Sequence, residues 1–371
     1  MSEIADRAGA VLTIDLDAVV ANWRLLAKRM RRGARCAAVV KADAYGLGAD
    51  RVAPALRAAG CNRFFVATID EGAALRPLLP GAEIFVLSGP YRHTEGDFVE
   101  HGLVPVLNSP EQIDDWAAFA RARGSRTPAA LHLDTGMSRL GLSHGQAEAV
   151  AESTATLAAI QPILVMSHLA CADLPEHPLN RRQLAAFTAA RALFPGVEGS
   201  LAASSGLFLG EEWHADWGRP GAALYGVQPR PDRPNPMAHV VRLEGRIIQV
   251  RDVDAGDTVG YGATHRVADR GKLAVVAVGY ADGLFRSLSS RWHGFVGGVR
   301  VPLVGRVSMD LIIFDVSGLP GETARPGALI ELLGPGNTID EMGMAAATIG
   351  YEVLTSLGRR YCRRYLGGPA G

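Results

Sequence analysis

The sequence predicts an α/β protein with an N-terminal (β/α)8 TIM barrel and a C-terminal, mainly antiparallel β domain. Three observations support this fold class. Over the first two thirds of the 371 residues, short apolar runs alternate with stretches of helical spacing. Eight such units in about 200 residues are typical of a barrel rather than of an open sheet. After a proline-rich connector, the remaining chain is rich in predicted strands and poor in helices.

The barrel strands are predicted from apolar runs of the length expected for buried parallel strands. Seven of these runs begin near residues 35, 63, 83, 104, 129, 163 and 200. The eighth, in "HADWGRP", is weaker. Stretches such as "EQIDDWAAFARARG" and "HGQAEAVAESTATLAAI" have the spacing of the intervening helices. Together they predict the βα repeats of a barrel.

The segment "QPRPDRPNP", residues 228–236, contains four prolines and predicts a stiff connector. Beyond it, "HVVRLEGRIIQV", "KLAVVAVGY", "VRVPLVGRVSMDLIIFDV" and "ALIELLG" predict the strands of the second domain. A late helix is predicted at "TIDEMGMAAATIGYEVL", where Thr338 and Glu341 have capping-box spacing. The predicted limits are 12–236 for the barrel and 237–371, with residues 1–11 packed against it, for the β domain.

Composition excludes several classes of partner. Basic and acidic residues number 38 each, so the net charge predicts no nucleic-acid or membrane-surface partner. Four cysteines without zinc-site spacing predict a reducing compartment and no metal site. The N-terminus does not resemble a signal peptide, and no apolar run reaches the roughly 20 residues of a membrane helix. We therefore predict a cytoplasmic protein.

Four polar side chains follow predicted barrel strands, at the end where TIM barrels carry their active groups. They are Lys41 in "AVVKADAYGLG", His168 in "VMSHLA", Ser205 in "AASSG" and Arg219 in "WGRPG". Taken singly, each has a structural explanation, such as a solvated lysine, a core histidine or a helix-capping serine. Their convergence on one barrel mouth favours a functional site.

A partly desolvated lysine at a barrel mouth suits Schiff-base chemistry, because burial favours the neutral, nucleophilic amine. If the carbonyl belongs to a phosphorylated cofactor, the loops after strands 7 and 8 are where a barrel binds phosphate. Ser205 and Gly206 follow strand 7, and Gly221 and Ala222 follow strand 8. These positions predict a phosphate site, although ordinary glycine turns have the same pattern.

Nine motifs, in order from residue 38 to the motif that contains Tyr351, resemble the alanine racemases, which are pyridoxal-phosphate enzymes of fold-type III. They are "AVVKADAYGLG", "HLDTGMSRLGL", "SHLACAD", "ASSG", "RPGAALYG", "GYGAT", "GYADG", "GRVSMD" and "TIGYE". The resemblance implies an isomerase that interconverts L-alanine and D-alanine with pyridoxal 5'-phosphate and supplies D-alanine for peptidoglycan. It also implies a homodimer whose active sites are shared between subunits.

The resemblance implies roles for individual residues. Lys41 resembles the lysine that binds the cofactor and serves as one catalytic base. Tyr261 resembles the second base, which reaches the site from the other subunit. The residues that resemble the cofactor-binding set are Tyr45, Ser205, Gly221, Ala222 and Tyr351 at the phosphate, and His168 and Arg219 beneath the ring. Those that resemble the substrate-carboxylate contacts are Arg139 and Met309, with Asp310 in support. Those that resemble the lining of the access channel are Asp173, Tyr280, Arg286 and Arg306.

Two bases suit racemisation, because one base cannot easily serve both faces of a planar carbanion. The resemblance assigns Lys41 to the D-isomer and Tyr261 to the L-isomer. A phenol with a pKa of about 10 needs nearby positive charge or hydrogen-bond donors, which a chain through His168 and Arg219 would supply. Arg219 can only donate a hydrogen bond to the pyridine nitrogen, where many pyridoxal enzymes place a carboxylate.

The sequence departs from the family pattern in three places, one of which is Ala222, where isoleucine is common but only the backbone N–H matters. His132 stands where many members carry a lysine that orients the arginine matching Arg139. "LAASS" replaces the usual H-x-A-N-S, so Leu201 and Ser204 stand in place of histidine and asparagine. Three alternatives remain: a racemase of broader range that includes serine, a non-catalytic pyridoxal-phosphate-binding protein, and a decarboxylase of the same architecture. The β domain and its motifs favour a racemase.

Overall fold

The computed structural model describes residues 7–368. These residues form two compact units, which we call the barrel unit and the β unit. The barrel unit comprises Val19–Leu224 and Gln228–Met237. The β unit comprises residues 7–18, Tyr225–Val227 and Ala238–Gly368.

The first strand, β1 (Ala10–Asp15), belongs to the β unit because its hydrogen-bonded neighbours are strands of the C-terminal part of the chain. The predicted limits 12–236 and 237–371 stay a prediction. Residues 1–11 were predicted to pack with the β domain. Residues 1–6 of this segment lie outside the described residues.

The barrel unit contains nine parallel strand segments. In chain order they are β2 (Arg35–Cys36), β3 (Ala38–Val39), β4 (Arg63–Val66), β5 (Glu83–Val86), β6 (Val104–Leu107), β7 (Ala129–His132), β8 (Pro162–Met166), β9 (Glu198–Ser200) and β10 (Trp217–Gly218). The strands pair in the order β3-β4-β5-β6-β7-β8-β9, and β10 pairs with β2. Because β2 and β3 are two halves of the first strand, the unit has eight barrel strands.

The eighth strand, β10, closes the barrel although it has only two residues. On one side, the Ala37 N–H donates to the Gly218 carbonyl at 2.9 Å. On the other side, the Arg219 N–H donates to the Ala202 carbonyl, just beyond β9, at 2.9 Å. The weak strand predicted at "HADWGRP" is confirmed, and with it the (β/α)8 barrel.

Helices alternate with these strands. They are α1 (Leu16–Arg29), α2 (Ala49–Ala58), α3 (Ile69–Leu75), α4 (Glu95–Glu100), α5 (Pro110–Arg123), α6 (His144–Glu152), α7 (Thr154–Ile160) and α8 (Pro178–Ala192). The predicted helix in "EQIDDWAAFARARG" is α5, which ends at Gly124 with φ +63°. The stretch 144–160 forms two helices rather than one, because the Ser153 hydroxyl accepts a hydrogen bond from the Thr156 N–H and caps α7.

Charged and aromatic side chains close the N-terminal end of the barrel. The Arg63 side chain is buried, and its guanidinium lies 2.7 Å from Glu83 and 3.1 Å from Glu198. The guanidinium carbon of Arg63 also lies 3.8 Å from the centroid of the Trp217 ring, whose Nε1–H donates to Glu198 at 2.7 Å. These residues begin four different barrel strands, so the cluster fastens the strands together at the end opposite Lys41.

The β unit is built on a mostly antiparallel sheet. After β1, its strands are β11 (Val241–Val253), β12 (Thr258–Val259), β13 (His265–Arg266), β14 (Gly271–Val276), β15 (His293–Val296), β16 (Val299–Pro302), β17 (Ile312–Asp315), β18 (Leu329–Leu333) and β19 (Cys362–Leu366). The main sheet has the order β16-β15-β18-β11-β1-β19, with β14 and β17 continuing from β11. Only β1 and β19 pair in parallel in this sheet. The predicted antiparallel β domain is confirmed.

Two short helices, α9 (Ile339–Ala345) and α10 (Gly350–Ser356), complete the β unit. The capping box predicted from Thr338 and Glu341 is confirmed. The helix predicted to start there is confirmed as α9, and it ends before Ala347, whose φ is +60°. Gly343 permits the close approach of the two helices, since a Cβ there would lie 2.9 Å from the Gly350 nitrogen.

No helix within residues 7–368 combines the length and the apolar character needed to cross a membrane. In the same part of the chain, no group of three or more His, Cys, Asp or Glu side chains is arranged to hold a metal ion.

Candidate active site

Lys41 begins a left-handed turn at the C-terminal end of the first barrel strand. That strand ends where the Val40 N–H donates to the Phe65 carbonyl of β4 at 2.9 Å. Residues 42–45 then all have φ between +53° and +56°. Left-handed backbone costs an L-residue about 1–2 kcal/mol, so four such residues in succession form a strained segment. Strain of this kind is concentrated at functional sites.

Asp43 holds the second half of this turn. Its Oδ1 accepts a hydrogen bond from the Ala49 N–H at 2.7 Å, and its carbonyl accepts one from the Gly48 N–H at 2.9 Å. The turn delivers the Tyr45 side chain, which is buried, to the loop after β10. A Cβ on Gly221 would lie 2.3 Å from the Tyr45 hydroxyl oxygen. Only glycine therefore fits at position 221.

Two 3-10 helices begin beside Tyr45, and both follow the last strands of the barrel. One is Ser205–Phe208 after β9, and the other is Ala222–Tyr225 after β10. The Ser204 hydroxyl links them, since it accepts hydrogen bonds from the N–H groups of Gly221 and Ala223 at 3.1 and 3.2 Å. Helix N-termini present N–H groups and attract anions. The structure thus brings the predicted phosphate residues of the barrel unit together.

Arg219 lies on the floor of the barrel mouth and is buried. Its guanidinium donates hydrogen bonds to the Ser200 hydroxyl and to the Ser167 carbonyl. Burial lowers the pKa of Arg219 to about 10, so the side chain stays charged at neutral pH. Neither of these two partners is a carboxylate, so its positive charge is not neutralised by them and is available to an acceptor in the site.

His168, after β8, is neutral over the physiological range. Burial, and then the charges of Arg219 and Arg139, lower its pKa to about 3. Gln183 of α8 fixes its backbone, because the Gln183 amide donates to the His168 carbonyl at 2.8 Å and its Oε1 accepts from the Ala170 N–H at 2.9 Å. Gln183 is fully buried and was missed by the sequence analysis, which offered no signal for it.

Arg139 is presented by a loop that Asp134 organises. The Asp134 Oδ1 accepts hydrogen bonds from three successive N–H groups, residues 136–138, at 2.9 to 3.1 Å. His132, at the end of β7, is buried, and its Nδ1 lies 2.8 Å from the Asn108 Oδ1. Because the Asn108 amide nitrogen donates to two backbone carbonyls, its oxygen accepts here, and His132 carries its proton on Nδ1.

The positive charges of this site act on Lys41. Burial is the main cause that lowers the pKa of Lys41, and the Arg139 charge lowers it further. Glu71 acts in the opposite direction and raises it. A lowered pKa increases the share of neutral amine, which is the form that can attack a carbonyl or accept a proton.

The β unit carries a second group of predicted site residues. Tyr261 begins the 3-10 helix Tyr261–Ala263, and its side chain is 72% exposed. A Cβ on Gly262 would lie 3.0 Å from the Arg306 guanidinium, so Arg306 lies against the tyrosine turn. The Tyr280 N–H donates to the Ser308 carbonyl at 3.0 Å, which joins the turn of Tyr280 to the "GRVSMD" loop.

Arg360, which no motif singles out, holds the "GRVSMD" loop. Its guanidinium makes two hydrogen bonds to the buried Asp282, at 2.6 and 2.7 Å, and one to Asp310 at 2.7 Å. The loop is fixed further where the Ala281 N–H donates to the Met309 carbonyl at 3.0 Å. The sequence offered no signal for this role, because Arg360 lies in an arginine-rich segment with no motif.

Asp173, Arg286 and Tyr351 are the remaining predicted residues. Asp173 is exposed in the loop after β8, where the buried Asn180 of α8 donates to the neighbouring Cys171 and Leu174 carbonyls at 3.0 and 2.9 Å. Arg286 is exposed at the start of a 3-10 helix of the β unit, and Tyr351 is part of α10. The predicted set is thus divided between the two units. The barrel unit contains Lys41, Tyr45, Arg139, His168, Asp173, Ser205, Arg219, Gly221 and Ala222; the β unit contains Tyr261, Tyr280, Arg286, Arg306, Met309, Asp310 and Tyr351.

Comparison with known proteins gives matches over nearly the whole chain. Residues 14–229 match the family described as "Alanine racemase, N-terminal domain", and residues 240–365 match "Alanine racemase, C-terminal domain". A curated alanine racemase from Rhodospirillum rubrum is 55% identical over 98% of this chain and 97% of its own length. Another from Rhizobium meliloti is 50% identical, over 97% of this chain and 98% of its own.

A solved structure shows the same fold. It is a crystal structure of alanine racemase from Bartonella henselae with covalently bound pyridoxal phosphate. Its TM-score to this chain is 0.93 at 40% sequence identity, over 97% of this chain and 100% of the solved one.

Proposed function

The chain belongs to the alanine racemase family, and from that premise we infer that it is an isomerase that interconverts L-alanine and D-alanine with pyridoxal 5'-phosphate. One observation carries this function at the level of the site. Lys41, Tyr45, Arg219 and the two 3-10 helix starts after β9 and β10 meet at one end of the barrel. Because the two enantiomers have equal free energy, the same site serves both directions.

The residues of the barrel mouth fit the cofactor. The close approach of the Tyr45 hydroxyl to Gly221, next to two helix starts, makes a cradle suited to a phosphate. The buried Arg219, whose two hydrogen-bond partners are both uncharged, suits the pyridine nitrogen as a pure donor. We propose that Lys41 binds the cofactor covalently, with phosphate contacts from Tyr45, Ser205, Gly221, Ala222 and Tyr351, and with His168 and Arg219 beneath the ring.

Pyridoxal 5'-phosphate, when bound, supplies an electron sink that acidifies the α-carbon of the amino acid. The protein supplies the bases. The Lys41 amine, whose pKa is lowered by burial and by Arg139, takes or returns the α-proton on one face at its Nζ atom. The Tyr261 phenol takes or returns it on the other face at its hydroxyl oxygen. The Arg139 guanidinium and the Met309 backbone orient the substrate carboxylate, and Asp310 supports Met309.

Tyr261 has to reach the site for this mechanism to work, and we propose that it comes from a second copy of the chain. Large apolar side chains are exposed on the β unit around the site loops, among them Tyr261, Met309, Leu311, Met344 and Ile349. Burial of these side chains against another protein would remove their apolar surface from water, which favours such a contact. A two-fold dimer would place one Tyr261 in each site.

Three finer points belong to the same proposal. We propose that Asp173, Tyr280, Arg286 and Arg306 line the access channel, since all are polar and the last three lie on the unit that carries Tyr261. Four cysteines without a disulfide partner favour a reducing, cytoplasmic location. The neutral net charge favours no nucleic-acid partner.

The function is tested on the purified protein supplied with pyridoxal 5'-phosphate. Circular dichroism of separate L-alanine and D-alanine solutions should converge on zero from both sides. A protein that takes up the cofactor and leaves both signals unchanged would overturn the proposal and favour the non-catalytic alternative. Equal turnover of L-serine would establish the broader racemase.

A further inference from the structure

Glu71 is the third residue of α3, and its carboxylate connects two barrel strands. Its Oε1 accepts a hydrogen bond from the Ala42 N–H, directly after Lys41, at 2.7 Å. Its Oε2 accepts one from the Ala67 N–H at 2.6 Å, directly after β4. We propose that Glu71 is a positioning residue for Lys41, an inference that rests on the proposed function of that lysine.

Helix capping alone does not explain these contacts. Thr68 and Glu71 form a capping box at the start of α3, in which the glutamate reaches back to the Thr68 N–H. That capping bond is the longest of the three, at 3.4 Å. The two short bonds go to Ala42 and Ala67, which lie outside the box. The carboxylate therefore makes its best contacts with the ends of the first and second barrel strands.

The bond to Ala42 fixes the peptide plane between Lys41 and Ala42. This plane is the first link of the left-handed turn, whose four residues each resist the conformation. The bonds of Asp43 described above connect the turn to its own C-terminal end. Glu71 instead connects it to a different strand, so the start of the turn, and with it the Lys41 backbone, is held in register with β4.

The contacts suit a carboxylate better than an amide. Both oxygens accept from backbone N–H groups, and an amide side chain has only one acceptor oxygen. A glutamine would direct an NH2 group against one of the two donors. The Glu71 charge also acts on Lys41, as does the opposing charge of Arg139, whereas the nearby His168 is neutral. Because Glu71 raises the pKa of Lys41, its neutralisation lowers that pKa.

A matched pair of variants separates positioning from capping. Glu71→Gln removes the charge and one acceptor. Glu341→Gln does the same to the glutamate of the α9 capping box, whose Oε2 accepts from the Thr338 N–H at 2.8 Å. If Glu71 only caps a helix, the two substitutions should have the same consequences.

The first measurement is amide hydrogen exchange of the full-length protein as purified, read in peptides that cover residues 38–48. We expect exchange in this segment to be about tenfold faster in Glu71→Gln, because a hydrogen bond to a charged group is lost, and to be unchanged in Glu341→Gln. Unchanged exchange in Glu71→Gln would overturn the proposed link. This measurement does not depend on turnover, so it stands even if the protein proves not to be a racemase.

The second measurement is the pH dependence of kcat for L-alanine and D-alanine, which reports groups of the substrate complex. In Glu71→Gln we expect kcat to fall about tenfold and the acidic limb that reports Lys41 to move to lower pH. Glu341→Gln should keep the wild-type profile. A Glu71→Gln profile that matches Glu341→Gln would leave Glu71 as a cap and overturn the proposal.

Glu71→Asp keeps both acceptor oxygens and the charge on a shorter side chain. We expect it to keep the pH profile of the wild type with exchange between those of the wild type and Glu71→Gln. If Glu71→Gln does not fold, Glu71→Asp alone decides, because wild-type exchange in residues 38–48 of this variant would then contradict the link.

Discussion

At the scale of single residues, the site depends on which groups stay uncharged beside two arginines. His132 and His168 are held neutral by burial and by Arg219, with pKa values lowered to about 4 and about 3. The neutral state allows them to lie near Lys41 and Arg139 without adding to the repulsion there. It also makes the folded protein sensitive to acid, because an unfolded histidine titrates near 6.5.

Replacement of His132 by glutamine should flatten the acid branch of the stability curve. Between pH 6.5 and about pH 4, His132 is protonated in the unfolded chain but not in the folded chain. The free energy of unfolding therefore decreases as the pH is lowered through this range. Over this pH range, we expect the free energy of unfolding of the wild type to decrease by about 3 kcal/mol more than that of His132→Gln. Urea unfolding at a series of pH values measures this difference.

The exposed His144 of α6 provides the control. His144→Gln should follow the wild-type curve. Parallel curves for the wild type and His132→Gln would mean that His132 takes up its proton as easily in the folded state as in the unfolded one.

The sequence predicted the candidate site residues but not the residues that hold their backbones in place. Lys41, Arg219 and the phosphate serine were predicted because each has its own motif at a strand end. Glu71 and Gln183 had no such signal, since their partners are 29 and 15 residues away along the chain. Glu71 also has the appearance of an ordinary capping residue in the sequence. Contacts between distant backbone groups leave no periodicity that a single sequence can reveal.

At the scale of elements, the left-handed turn after Lys41 was not predicted. "KADAYGLG" has glycines only at its end, and its alanines favour right-handed helix. Local preference does not predict this handedness, and the turn is held by the hydrogen bonds that Glu71 accepts from Ala42 and that Asp43 accepts from residues 48 and 49. The short helices show a related limit: helical spacing predicted their positions, but not the breaks at Ser153 and Ala347.

Glycine at position 42 should stabilise the protein. Ala42 is exposed and has φ +53°, a conformation that glycine adopts without steric cost. We expect Ala42→Gly to raise the free energy of unfolding by about 1 kcal/mol. Ala118, exposed in the right-handed α5, is the matched control, and Ala118→Gly should lower it by about 1 kcal/mol. Urea titrations of both variants measure the change in the free energy of unfolding. A change of the same sign in Ala42→Gly and Ala118→Gly would contradict the left-handed conformation of Ala42.

At the scale of the whole molecule, the stabilising Arg63 cluster and the proposed catalytic residues lie at opposite ends of the barrel. Arg63 and its partners Glu83, Glu198 and Trp217 stand at the starts of strands, whereas Lys41 and Arg219 stand at the ends. Removal of the buried Arg63 leaves Glu83 without this ion pair and leaves Glu198 with Arg35 and the Trp217 Nε1–H as its partners.

Arg63→Ala removes a large buried side chain as well as its ion pairs, and it should lower the free energy of unfolding by about 3 kcal/mol. The racemase kcat of the protein that remains folded should stay within about twofold of the wild type, since the cluster lies at the opposite end of the barrel from the site. Thermal unfolding and a racemisation assay at low temperature measure the two effects. A kcat that falls with the stability would show that the two ends are coupled.

The composite site proposed for the dimer predicts complementation between inactive variants. Lys41→Ala and Tyr261→Phe proteins should each have almost no activity, because each lacks one base in both sites. After subunit exchange, a mixed dimer has one site with both bases, so activity should return. Light scattering or a tagged subunit verifies the exchange, and exchange without recovered activity would place both bases on the same chain.

Because β1 pairs with β11 and β19, it cannot form its sheet until these later strands have been synthesised. The strand made first has its hydrogen-bonding partners at residues 241–245 and 362–366, so it emerges from the ribosome long before either of them. At ordinary elongation rates the delay is on the order of tens of seconds. Residues 19 to 224 are all translated within that interval. The barrel unit therefore has time to fold before the β unit, whose first strand precedes it in the chain, has been fully synthesised. Loss of the last dozen residues would leave the first strand with one open edge, exposed to pairing with other nascent chains.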